Sequence, residues 1–79
     1  MNKKTIPLTN LTPKQKAKII NLEGGHGFQR KLRIMGIREG QTIMIISKQP
    51  FKGPLTITIG NYQMTLGRGM ANKIIVETI

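Results

Sequence analysis

Apolar and polar residues alternate with a period of two over much of this chain, and the places where that rhythm breaks divide it into elements. Leu55, Ile57 and Ile59 alternate with Thr56 and Thr58; Tyr62, Met64 and Leu66 alternate with Gln63 and Thr65. Between the two runs stands Gly60-Asn61, a two-residue turn in which glycine supplies the positive φ, so the segment predicts a β-hairpin. On this alternation Tyr62 lies on the inward side with Met64 and Leu66. Ala17 to Leu22 predicts an earlier strand in which Ala17, Ile19 and Asn21 oppose Lys18, Ile20 and Leu22. Gln41 to Lys48 contains the unbroken apolar run Ile43 to Ile46 and predicts a strand buried on more than one side. Lys73 to Glu77, with Ile74, Ile75 and Val76, predicts the closing strand.

One stretch changes period. Phe28, Leu32 and Met35 stand at i, i+4 and i+7 and predict a helix over Gly27 to Met35. Gly36 sits where such a helix ends in a left-handed residue, and Ile37 just beyond can fold back onto Leu32. At under three turns this helix is not stable alone and must lie against the strands. Phe28, Leu32, Met35, Met64 and Met70 are read as core. Leu8 and Leu11, in a turn closed by Pro13, can plug one end of that core. Gln49 to Pro54 is a loop, because two prolines and a glycine cannot continue a ladder. Gly67 to Asn72 has room for one helical turn.

These elements describe a mainly β chain: a small, partly open SH3-like barrel of about five strands, with one inserted helix and a helical turn before the last strand. Curling the sheet suits a chain rich in isoleucine and threonine, because it removes exposed edges. The expectation is one domain over residues 1–79, with 1–7 a flexible N-terminus.

Composition adds a charge. The chain of 79 residues has 13 Lys and Arg against three acids, Glu23, Glu39 and Glu77, for a net charge of +10. Such an imbalance favours a negative partner: nucleic acid, an anionic membrane surface or an acidic protein face. Arg30, Lys31, Arg33 and Arg38 form a local cluster that the few acids cannot neutralise, which makes them candidate contacts to an acidic surface. The cluster also suits the C-terminal end of a helix dipole. Phe51, beside Lys52 in the Pro-x-x-Gly-Pro loop, is a candidate interface anchor; the competing reading folds it over a barrel end. Arg68 is read as binding carbonyls or Glu77 to fix the closure of the barrel.

Catalytic chemistry finds no residues here. One histidine, no cysteine and three scattered glutamates supply no nucleophile–base pair, so an enzyme is not expected. His26 and Glu23, three residues apart, are the metal-ligand candidates. Alone they fall short of the two histidines and a carboxylate that suit a divalent transition metal, so a solvated histidine in a glycine loop is the preferred reading. Gly24-Gly25-x-Gly27 is backbone geometry for a tight strand-to-helix turn rather than a nucleotide fingerprint. No apolar run is long enough to span a bilayer, and no apolar segment follows Lys3 and Lys4 to make a secretory signal, so a cytoplasmic chain is expected.

The same residues, in order, resemble the FeoA family of small proteins associated with ferrous iron transport. The resemblance runs from Leu8-x-x-Leu11 through Arg30-x-Leu32-x-x-Met35-Gly36-Ile37-x-x-Gly40 and Pro50-x-x-Gly53-Pro54-Leu55. It ends on Gly60-Asn61-Tyr62 and Leu66-Gly67-Arg68-x-Met70-Ala71 to Ile74-x-Val76. It implies an accessory role beside the membrane permease FeoB, by docking on its cytoplasmic GTP-binding portion, with no certain cofactor beyond transient Fe2+. Lys16-Ala17 stands where the family frequently has a glycine, and the charge is more basic than the pattern suggests. Two alternatives stay open. One is a basic barrel binding nucleic acid, opposed by few aromatics and an inward Tyr62. The other is a metal-responsive interaction module like the SH3-like domain of iron-dependent repressors.

Overall fold

Six antiparallel strands carry the fold in a computed structural model that describes residues 3–79. They are β1 (Thr5–Pro7), β2 (Lys16–Leu22), β3 (Thr42–Lys48), β4 (Leu55–Ile59), β5 (Tyr62–Leu66) and β6 (Ile74–Thr78). Helix α1 (His26–Ile34) joins β2 to β3, a single helical turn α2 (Arg68–Ala71) joins β5 to β6, and a 3₁₀ turn covers Leu8–Asn10. The hydrogen-bonded order is β1-β6-β2-β3-β4-β5, which leaves β1 and β5 as the sheet edges.

Two short helices cannot roof six strands, yet the inward residues Ala17, Ile19, Ile43, Ile45, Ile57 and Val76 are all fully buried. The sheet must therefore coil on itself, as strand twist allows. The radius of gyration, 11.5 Å, is that of a close-packed chain of this length. Leu8 and Leu11 plug the core as expected, both wholly buried.

β1 corrects the expected flexible N-terminus. Thr5, Ile6 and Pro7 pair with Glu77, Val76 and Ile75 of β6. The Lys4 N–H donates to Thr78 Oγ1 at 3.0 Å. Three residues carry no readable alternation; the strand exists because β6, from the far end of the chain, presents an unpaired edge. Met1 and Asn2, the rest of that segment, lie outside the described residues.

β2 breaks its own alternation. Its register against β6 slips between Ile19 and Asn21, so one extra residue is accommodated there. Leu22 rather than Asn21 then turns inward, and Ile20 is left exposed. The β4–β5 hairpin, by contrast, forms in the expected register, from Ile59↔Tyr62 to Leu55↔Leu66, with Gly60 at φ 58°.

Candidate functional site

Helix α1 presents the basic surface, and its ends explain why so short a helix holds. At its C-terminus the Ile37 N–H donates to Leu32 O (2.9 Å) and the Gly36 N–H to Arg33 O (3.0 Å). With Gly36 at φ 92° and both Ile37 and Leu32 fully buried, this is a complete Schellman stop. At the N-terminus no side chain caps the helix. Instead Gln29 Nε2 donates to Leu22 O (2.9 Å) and Gly24 O (3.2 Å), tying the first turn to the end of β2. Gln41 braces the exit: its Oε1 accepts the Arg38 N–H at 2.7 Å and its Nε2 donates to Gly36 O at 2.9 Å. Neither glutamine has a sequence signature, because each works through backbone carbonyls brought near only by the fold.

Arg30, Lys31, Arg33 and Arg38 are all exposed. Among the described residues the salt bridge is Lys3–Glu77 at 3.9 Å, elsewhere on the surface, so the helix cluster keeps its charge. Lys73 stands over the Phe28 ring, 4.8 Å from its centroid, and covers that aromatic from solvent.

Phe51 does not fold over the barrel end. It is 99% exposed, at the tip of a turn closed by the Gly53 N–H on Pro50 O at 3.1 Å. Both central residues lie in the left-handed region, Phe51 at φ 58° and Lys52 at φ 60°. Neither is glycine, so the backbone there is strained by roughly 1–2 kcal/mol per residue. Arg68 Nε donates to Gly53 O at 3.3 Å and anchors the base of the turn. Of its two expected partners Arg68 thus takes a carbonyl, while Glu77 meets Lys3.

The basic helix and the Phe51 turn adjoin opposite ends of one strand. α1 leads into the start of β3 and the Phe51 turn leaves its end, so the seven residues of β3 hold them apart, by roughly 20 Å.

Tyr62 also departs from expectation: it is 75% exposed, not inward. The alternation places it on the side of Met64 and Leu66, but β5 is an edge strand, and beside the hairpin turn nothing packs over it. Met64 is half-buried and Leu66 alone is sealed. Together with Ile34, Met35 and Ile59, Tyr62 and Met64 line a groove of about 330 Å³ between the end of α1 and the β4–β5 hairpin.

Glu23 and His26 are both exposed. Among the described residues no three His, Cys, Asp or Glu side chains gather as a metal site. Among the described residues no helix is long and apolar enough to cross a membrane.

The model of the FeoA domain matches residues 6–78. The chain belongs to the FeoA domain family. An Fe(2+) transport protein A/Fe(2+) transporter FeoB fusion protein of Porphyromonas gingivalis is 33% identical over 72 residues, covering 91% of this chain. The chain spans only 8% of that relative's length. A crystal structure of iron uptake regulatory protein (FeoA) superposes with a TM-score of 0.88 at 32% identity, over 96% of this chain and 100% of the other. A manganese-dependent transcriptional repressor shares the fold at a TM-score of 0.87 over 100% of this chain and 44% of its own. At 15% identity that likeness is one of fold alone. The FeoA domain is thus the SH3-like fold expected from the sequence.

Proposed function

We propose that this FeoA domain is a non-catalytic accessory module of ferrous iron transport that binds FeoB at its cytoplasmic GTP-binding portion and modulates iron uptake. One observation carries the reading: in the P. gingivalis relative, transport protein A and FeoB are fused in one chain. Fusion raises the local concentration of one module at the other, which helps only modules that act together. The surface supports contact rather than chemistry. An unneutralised cationic helix offers steering toward an acidic face, and a fully exposed phenylalanine on a strained turn offers an anchor. Transient Fe2+ at Glu23 and His26 belongs to this reading only as a site completed by the partner's ligands.

Tyr62 and Phe51 are exposed, which removes one objection to the nucleic-acid alternative. They nevertheless stand at opposite ends of the sheet, and Phe28 is covered by Lys73, so no row of stacking aromatics forms. The protein-contact reading is preferred for that reason.

Capture from detergent-solubilised membranes tests it. The tagged chain is expected to enrich FeoB, and a variant with Arg30, Lys31 and Arg33 changed to Glu is expected to lose that enrichment. Equal recovery of FeoB by the tagged chain and by an unrelated basic protein would refute the proposal.

A further inference from the structure

The two sheet edges are not alike. β1 is three residues long, ends in Pro7 and follows Lys3 and Lys4, the devices that keep an edge from pairing. β5, Tyr62-Gln63-Met64-Thr65-Leu66, is five residues long and carries neither charge nor proline. The two-residue turn makes Ile59↔Tyr62 a hydrogen-bonded pair. Antiparallel alternation then turns the N–H and C=O groups of Gln63 and Thr65 away from β4. Both residues are exposed, and among the described residues no loop or turn backbone bonds to them.

Next to this open edge lies the groove lined by Tyr62, Met64, Ile59, Ile34 and Met35. Ile34 is 77% exposed, an unusual place for isoleucine on a helix that otherwise turns charge to solvent. An added strand would set every second side chain over this groove. The helix at its rim is cationic. Arg30 and Lys31 lie one turn before Ile34 on α1, Arg38 follows the helix stop with its backbone N–H held on Gln41, and Glu39 is the acid nearby.

We infer that β5 is a docking edge for an extended, acidic segment of another polypeptide, which pairs with Gln63 and Thr65 and seats alternate apolar side chains in the groove. Charge decides the occupant: two copies of a +10 chain repel, whereas carboxylates flanking an apolar strand meet the rim. The inference deepens the contact reading by naming the surface and the mode of binding, and it can fail separately.

The probe is the peptide Ac-Glu-Glu-Val-Thr-Ile-Thr-Val-Glu-Glu-NH2, whose carboxylates flank the apolar strand, titrated into the isotope-labelled full chain and followed by amide NMR. Shifts are expected at Tyr62 to Leu66 and at Ile34 to Gly36. The lysine-for-glutamate peptide is expected to give none. Gln63→Pro and Thr65→Pro each remove one outward N–H without touching the β4 ladder, so they are expected to fold. Each is expected to weaken peptide binding at least about tenfold. No shifts at millimolar peptide, shifts centred on β1 or Phe51, undiminished binding by both folded proline variants, or dimerisation through β5 in sedimentation would each overturn the inference. The same variants in the membrane capture separate the two readings. FeoB retained by wild type and by both variants sinks the β5 edge alone, and FeoB lost from wild type sinks the partner.

Discussion

Replacing Phe51 and Lys52 by Asn and Gly is expected to make the protein more stable and less able to bind. The Pro50–Gly53 turn holds two non-glycine residues at φ 58° and 60°. A left-handed residue costs roughly 1–2 kcal/mol when it has a Cβ, so the pair stores roughly 2–4 kcal/mol. Asn-Gly is the pair this turn geometry selects, and Phe51, being 99% exposed, gives up almost no burial on removal. The new glycine loosens the unfolded chain by roughly 0.4–1 kcal/mol, and Asn keeps part of the strain. A net gain of about 1 kcal/mol remains, which raises Tm by roughly 4–8 °C for a domain of this size. Circular-dichroism melts of wild type, each single variant and the pair measure it. A pair that melts no higher than wild type would show that the turn is not strained. A pair that is more stable and still captures FeoB fully would show that the strain serves some end other than presenting Phe51.

Three further outcomes follow from the packing around α1 and the loops. Ile37→Ala empties the apolar half of the helix stop and is expected to destabilise by roughly 2–5 kcal/mol in urea unfolding; a loss under half a kilocalorie would mean that Ile37 does not hold the helix. Gln29→Ala frees the carbonyls of Leu22 and Gly24 and is expected to lose about 1 kcal/mol, with amide exchange rising first in the opening turn of α1. Gly53→Ala brings a Cβ to 2.8 Å from Gln49 Cβ and 3.1 Å from Pro50 O, so a loss of roughly 1–3 kcal/mol is expected. Its Tm matching wild type would contradict that close approach.

Local chemistry accounts for a large part of this protein. The hairpin at Gly60-Asn61, the apolar strand into Lys48 and the helix stop at Gly36-Ile37 each depend on residues within a few positions of one another. Side-chain period and the glycine φ therefore decided them before any long-range contact formed. The cationic cluster was equally legible, since thirteen bases against three acids cannot neutralise one another wherever the fold places them. Tertiary structure decided the rest. Thr5–Pro7 is a strand only because β6 offers it an edge, and Leu22 faces inward only because β2 slips by a residue against the same partner. Tyr62 obeys its alternation yet stays in solvent, because alternation assigns a side of the sheet and only packing decides whether that side is covered. Gln29 and Gln41 act on carbonyls that the fold delivers to them. Phe51 is likewise exposed because nothing in the fold comes to cover its turn, which the residues of that loop alone left open.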